Sequence, residues 1–251
     1  ITSKTLLVCI PEHLVVNTAW IKREAVRYGD VPPESVFVTG IPHYDRYTAE
    51  GRMPRHEFFT RFGLDPAKQL ILFTPPSDNY LKHDPITPVV LRALEATGAQ
   101  VLVRKALVGT IDLGGYQPPA TVVFDEPGTS PDFTKVYLSR SADLHLADSI
   151  YHSDLVVTWA STMIIDAAVF LKPIILVGFD AGPRPYEKSI QQYYDYDHQR
   201  RIIDLGGARL VKSPEELTEW AKRYLADATL NLDGRKRIVE EYAGMLDRKA
   251  G

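Results

Sequence analysis

Apolar residues along this chain fall into short continuous runs that alternate with longer amphipathic segments. From Gln69 onward each run is four or five residues long and rich in Val, Ile and Leu. Runs of this kind, separated by helices, are typical of a parallel sheet that is buried on both faces. The pattern predicts strands at residues 70–74, 100–104, 121–124, 155–158 and 174–177. It predicts helices at residues 88–97, 141–152 and 162–171, then a long polar loop, and further helices after Pro214.

The part of the chain before residue 69 predicts a second, smaller unit. Strands are expected at residues 6–10 and 36–38 with a helix at 17–28 between them, and a charged helix follows at 54–63. Gly40, Ile41 and Pro42 break the pattern before that charged helix. We therefore predict that residues 1–42 are the remnant of an N-terminal α/β domain with its interdomain linker. Residues 43–251 are predicted to form a doubly wound, Rossmann-like α/β domain with C-terminal helices.

The bulk composition narrows the classes of function. The chain has 251 residues, of which 45% are hydrophobic, and a net charge of −3 at pH 7. A globular core is therefore expected, and a general attraction to nucleic acid is not. The single cysteine, Cys9, excludes an internal disulfide and favours a reducing, cytoplasmic compartment. The chain begins at Ile1 without an initiator methionine, which predicts a piece cut from a longer protein.

One segment carries most of the chemical information. Residues 153–174 read as a strand, a tight turn, a helix, Lys-Pro and a second strand. Ser161 and Thr162 fall at the predicted start of the helix, where unpaired backbone N–H groups and the helix dipole favour a phosphate. Asp166 follows about one turn later, within reach of ribose hydroxyls. By spacing alone, a helix cap at Ser161 and a polar helix residue at Asp166 explain the pattern equally well.

Residues 154–173 also resemble the donor-binding motif of GT-B fold enzymes. Within that superfamily the chain is most similar to bacterial surface-polysaccharide glycosyltransferases and CDP-glycerol glycerophosphotransferases, with the UDP-N-acetylglucosamine 2-epimerases as relatives. The resemblance implies donor phosphates at Ser161 and Thr162 and ribose at Asp166, where the family often has Glu. The Ser-Gly-Gly of the epimerases is absent before the helix, and Trp159 and Ala160 stand there instead.

Further segments resemble the same enzymes in the expected order. Residues 36–45 are similar to their interdomain crossing, and residues 70–77 to the first strand and loop of their nucleotide domain, which implies donor contacts from Thr74 and Ser77. The strand at 101–105 ends in Arg104 and Lys105, and the carboxyl ends of parallel strands are where α/β sheets bind ligands. Arg104 is the candidate phosphate partner, although solvated charges at strand ends are common.

The candidates for acid–base chemistry are three histidines: His43 near the predicted hinge, His83 in a loop, and His198 after a tyrosine-rich tract at 193–196 that is expected at the rim of the cleft. In GT-B enzymes the acceptor site and the usual base lie largely on the N-terminal domain, so the catalytic residues stay open. His145, Asp148 and His152 share one helix face with Asp143 and Asp154 nearby. Because a metal needs converging ligands, no metal site is predicted from this run.

The resemblance implies a transferase that uses a UDP- or CDP-linked sugar or polyol phosphate as donor, without a cofactor, in surface-polysaccharide or cell-wall polymer synthesis. The expected acceptor is a glycan or a lipid-linked acceptor, with peripheral membrane contact through a missing N-terminal half. Two alternatives remain: a relative of the UDP-sugar 2-epimerases, and a nucleotide-binding half-domain without catalysis.

Overall fold

A computed structural model describes residues 9–49, 51–77, 80–81, 85–127 and 140–247. Within these ranges the strands are β1 (Leu14–Val16), β2 (Val36–Val38), β3 (Leu70–Phe73), β4 (Gln100–Arg104), β5 (Val122–Asp125), β6 (Leu155–Thr158), β7 (Ile174–Val177) and β8 (Arg209–Val211). The helices are α1 (Ala19–Gly29), α2 (Pro42–Ala49), α3 (Arg55–Arg61), α4 (Ile86–Glu95), α5 (Arg140–His152), α6 (Met163–Val169), α7 (Gln191–Tyr194), α8 (Asp197–Asp204), α9 (Pro214–Ala226) and α10 (Leu232–Ile238).

Six strands form one parallel sheet in the order β5-β4-β3-β6-β7-β8. Ile71 in β3 pairs with Val101 in β4 on one side and with Leu155 in β6 on the other. Going outward from β3, the strands β4 and β5 lie on one side of the sheet, and β6, β7 and β8 lie on the other side. The strand order therefore reverses between β3 and β6. The predicted doubly wound α/β sheet is confirmed.

The core follows from the apolar runs in the sequence. All residues of β3, β6 and β7 are buried, as a sheet covered on both faces requires. Helix α4 packs against α9, while α5 packs against α3 and α6. The charged helix α3 contributes its buried phenylalanines, Phe58 and Phe59, to the same core.

Residues 14–38 form a separate unit, in which β1 and β2 make a two-stranded parallel sheet that α1 covers. Its core of Val16, Ala25, Val31 and Val36 is distinct from the large one. Helix α1 starts cleanly because Thr18 accepts a hydrogen bond from the Ile21 amide at 3.2 Å. Whether the domain boundary falls at residues 42 and 43 stays a prediction.

The C-terminal segment returns to this small unit. The Asn17 amide donates to the Tyr242 carbonyl over 2.8 Å. Gly244 adopts a φ of +81°, and a Cβ there would lie 2.3 Å from the Asn17 carbonyl oxygen. Only glycine combines that backbone conformation with so close an approach. The end of the chain therefore holds α1 against the large domain.

The structure corrects three predicted elements. The strand predicted at 6–10 lies outside the described residues up to residue 8, and Cys9 and Ile10 are not in a strand. The first described strand, β1, begins after Pro11, where Leu14 pairs with Val36. Helix α2 begins at Pro42, where only a break was expected, because proline fits the first turn of a helix. The segment predicted as a polar loop contains α7, α8 and the short edge strand β8.

Candidate functional site

A cleft with a volume of about 810 Å³ lies beyond the carboxyl end of β6. Its walls come from α1, from the turn between β6 and α6, and from the segment that contains α7 and α8. This position is where the strand order reverses, the place where open α/β sheets bind ligands. Its volume lies within the range of small-molecule sites.

A chain of hydroxyl groups crosses the sheet at this point. Thr74, directly after β3, donates to the Thr158 hydroxyl at 2.7 Å, and Thr158 is 3.1 Å from the Ser161 hydroxyl oxygen. Thr74 and Thr158 are buried, whereas Ser161 lines the cleft. The structure thus joins two residues predicted from the sequence, Thr74 and Ser161, through one that was missed, Thr158.

The turn before α6 leaves its hydroxyls available to the cleft. Ser161 and Thr162 both line it, and α6 begins at Met163 without a side-chain cap. Because the Ser161 hydroxyl bonds to Thr158 and Thr162 caps nothing, helix capping does not account for this pair.

Ser77 is 2% exposed, and its hydroxyl has no hydrogen-bond partner among the described residues.

Asp166 lies away from the cleft lining. Its carboxylate accepts a hydrogen bond from the Tyr47 hydroxyl at 2.9 Å and is 3.4 Å from His43 Nε2. His43 Nδ1 lies 3.7 Å from Asp143 on α5. The hydrogen bond to Asp166 raises the pKa of His43 above its ordinary value; burial opposes this rise, and the charges of Asp166 and Asp143 add to it. These contacts hold α2 against α5 and α6, and a ribose contact by Asp166 stays a prediction.

Arg104 also lies outside the cleft lining. Buried at the end of β4, it forms an ion pair with Asp125 on β5, and His145 Nε2 is 3.0 Å from the same carboxylate. Burial raises the pKa of Asp125, but the hydrogen bond from His145 and the charge of Arg104 outweigh burial and lower it overall. Lys105 pairs with Glu126. The phosphate partner expected at Arg104 is thus engaged in a pair that joins β4 to β5.

Of the two candidate histidines within the described residues, His198 lines the cleft and His43 does not. His43 belongs to the α2 contact described above, and His83 lies outside the described residues. Two of the α5 residues that were considered as metal ligands make contacts within the protein. His152 Nε2 bonds to the Met53 carbonyl at 2.7 Å, and Asp148 lies 3.5 Å from Arg52. Within the described ranges no three His, Cys, Asp or Glu side chains are placed to hold a metal ion.

Aromatic rings form much of the cleft surface. The Trp159 ring centroid lies 5.0 Å from that of Tyr80 and 5.3 Å from that of Tyr193, and Tyr196 stacks on His198 at 5.9 Å. The tyrosine-rich tract therefore lies at the cleft, as expected. No role was predicted for Trp159 from the sequence, although its place directly after a buried strand at the carboxyl edge of the sheet is a signal for a lining residue.

A second pair of aromatic residues that lines the cleft could not be predicted from the sequence pattern. Trp20 on α1 and Tyr242 after α10 lie with ring centroids 5.3 Å apart, and both line the cleft. They are more than 200 positions apart in the chain, so only the fold brings them together.

Within the described residues no helix is both long and apolar enough to span a membrane.

Comparison with known proteins finds similarities both in sequence and in structure. No protein-family model matches the chain. Over 201 residues it is 29% identical to the UDP-N-acetylglucosamine--N-acetylmuramyl-(pentapeptide) pyrophosphoryl-undecaprenol N-acetylglucosamine transferase of Nocardioides sp. (strain ATCC BAA-499 / JS614), covering 79% of this chain and 49% of that protein. The wall teichoic acid polymerase TagF superposes with a TM-score of 0.59 at 15% identity, covering 95% of this chain and 55% of that one.

A third similarity is to the UDP-GlcNAc 2-epimerase of Methanocaldococcus jannaschii, solved in complex with UDP-GlcNAc and UDP. Its TM-score is 0.54 at 13% identity, and the match covers 90% of this chain and 60% of that one. Together these similarities define the class of fold: the chain has the architecture of one half of a GT-B type protein, and the expected resemblance is confirmed. The chain spans about half the length of the curated relative it matches.

Proposed function

We propose that this chain is the donor-binding half of a transferase that uses a nucleotide-activated sugar or polyol phosphate in the synthesis of a surface polysaccharide or cell-wall polymer. The observation that carries the proposal is the aromatic-walled cleft at the point where the strand order reverses. It combines the Ser161 and Thr162 hydroxyls with flat rings for a base or a sugar. The sequence relative, a UDP-N-acetylglucosamine transferase by name, supports this choice of chemistry.

In this proposal the leaving group is the nucleoside diphosphate when the donor is a nucleotide sugar. It is the nucleoside monophosphate when the donor is a CDP-linked polyol, because the second phosphate is transferred with the polyol. Transfer to an acceptor hydroxyl leaves negative charge on the departing phosphate, and donors fixed near that phosphate lower the barrier. The Ser161 hydroxyl is already fixed by Thr158 in this structure, so its ordering costs little on binding. The acceptor, a glycan or lipid-linked molecule, is held on the opposite side of the cleft. A cytoplasmic location at the inner face of the membrane fits these substrates.

Thermal denaturation with nucleotides tests the proposal directly. UDP or a cytidine nucleotide is expected to stabilise the chain more than an adenine nucleotide does. A ligand that binds only the folded state adds about 2.7 kcal/mol at 100 times its dissociation constant. No response to any pyrimidine nucleotide at millimolar concentration contradicts the proposal.

An alternative is a relative of the UDP-sugar 2-epimerases, which the similarity to the M. jannaschii enzyme favours. An epimerase interconverts UDP-sugars without an acceptor, whereas a transferase releases the nucleotide only when an acceptor is present. Incubation of the longest native form of the protein with UDP-N-acetylglucosamine separates the two, because sugar epimerisation without acceptor supports the alternative. A nucleotide-binding half without catalysis binds the nucleotide and does neither.

A further inference from the structure

The residues that line the cleft leave a nucleoside diphosphate almost without cationic partners. Two carboxylates, Glu24 and Asp197, face the same space. Arg104, the cation expected from the sequence, is paired with Asp125 outside the lining. Among the described lining residues the one permanently charged cation is Arg201, on helix α8. Among the described lining residues, Arg201 is therefore the permanent positive charge available to a diphosphate in this cleft.

Arg201 is held in a defined orientation. Its Nε donates to one carboxylate oxygen of Glu241 at 2.9 Å, and its Nη2 donates to the other at 2.7 Å. This two-point contact fixes the plane of the guanidinium group. Arginine has five N–H donors, so three remain for a second anion. The contact with Glu241 therefore orients Arg201 without using up its donor capacity.

The segment that carries Glu241 contacts both α1 and α8 through its neighbour Tyr242. Glu241 lies in the segment 239–243, and its neighbour Tyr242 lines the cleft, contacts Trp20 and accepts a hydrogen bond from Asn17. The Tyr242 hydroxyl also donates to the His198 carbonyl on α8 at 3.1 Å. The segment that positions Arg201 is thus the one that joins α1 to α8.

We infer that Arg201 binds the diphosphate of the nucleotide donor, with Glu241 as the residue that positions it. This inference rests on the proposed function, since it names the charge that receives the phosphates in the same cleft. Arginine suits the role because its planar fork matches phosphate oxygens and keeps its charge at any physiological pH. The chemistry recognised is a pyrophosphate ester attached to a nucleoside, whichever pyrimidine it carries.

The test compares two adjacent arginines by titration calorimetry. Arg201→Gln is expected to weaken UDP or CDP binding roughly 10- to 150-fold, as for the loss of a charged hydrogen bond. Binding of the uncharged nucleosides uridine and cytidine is expected to change by less than about twofold, because they carry no phosphate. Arg200→Gln is the matched control: Arg200 lies on the same helix, pairs with Asp195 at 2.9 Å and does not line the cleft.

A double variant separates a loss of nucleotide binding from a loss of folding stability. Arg201→Gln combined with Glu241→Gln leaves no unpaired carboxylate, and it is expected to keep the melting temperature while still binding diphosphates weakly. Equal diphosphate affinity in the Arg201 and Arg200 variants overturns the inference, as does an equal loss for nucleosides and diphosphates. If the unmodified chain binds no nucleotide at all, the proposed function fails, and that result is distinct from either of these.

Discussion

The hydroxyl chain beneath the cleft yields a prediction with a defined magnitude. Thr158→Val keeps the shape of the side chain but removes the oxygen that contacts both Thr74 and Ser161. Thr158 is fully buried and Thr74 is 8% exposed, so the Thr74 hydroxyl loses its partner where water does not readily replace it. An unsatisfied buried hydroxyl costs about 1–3 kcal/mol. The free energy of unfolding is expected to fall by about that amount.

Denaturant unfolding of four proteins measures this effect: the parent, Thr158→Val, Thr74→Val and the double variant. In the double variant both hydroxyls are replaced by methyl groups of the same shape, so no orphaned donor remains. Its stability is expected to return to within about 1 kcal/mol of the parent, since replacing both partners is nearly neutral. The melting temperature should follow by about 2–4 °C for each kcal/mol. Losses that simply add in the double variant refute the reasoning.

Two further predictions concern the turn before α6 and the contact of α2. Thr162→Val is expected to weaken nucleotide binding by roughly 10- to 150-fold while changing stability little. Ser161→Ala is expected to weaken binding similarly and also to lower stability, because it leaves the buried Thr158 hydroxyl without an acceptor. Titration calorimetry with melting curves checks both, and unchanged nucleotide affinity would make them structural residues. For His43 the pKa is raised in the folded state, so its stabilising contribution is complete below the ordinary value of 6.5 and is lost as pH rises through the folded pKa. The stability advantage over His43→Gln is therefore expected to be larger near about pH 6 than near about pH 8, and a pH-independent difference in denaturant unfolding argues against it.

Much of the fold was accessible from local sequence pattern. The apolar runs of β4, β6 and β7 were placed with their observed ends, because fully buried parallel strands leave a continuous Val, Ile and Leu signal. Strands β1 and β8, each three residues long, were missed, whereas β2, which is equally short, was placed with its observed ends. Such short strands carry too few residues to show a period, and tertiary contacts decide them.

The candidate site divides in the same way. Ser161 and Thr162, which line the cleft, could be named from the sequence because a strand, a turn and a helix follow one another locally. Arg104 and Asp166 were named from a linear motif, yet in the structure neighbouring elements engage both: Asp125 pairs with Arg104, and Tyr47 donates to Asp166. Contacts of this kind join residues far apart in the chain, so spacing carries no record of them.

The central claim is that the cleft binds a pyrimidine nucleoside diphosphate, and tryptophan fluorescence tests it most directly. The chain has three tryptophans, of which Trp20 and Trp159 line the cleft, while Trp220 lies on α9 outside it. Titration with UDP and CDP is expected to change the emission saturably, because a stacked base alters the surroundings of those two rings. Trp220→Phe should keep this response, and Trp159→Phe should lose most of it. The absence of a saturable emission change at millimolar nucleotide contradicts the account. So does an emission change that is lost in Trp220→Phe but kept in Trp159→Phe.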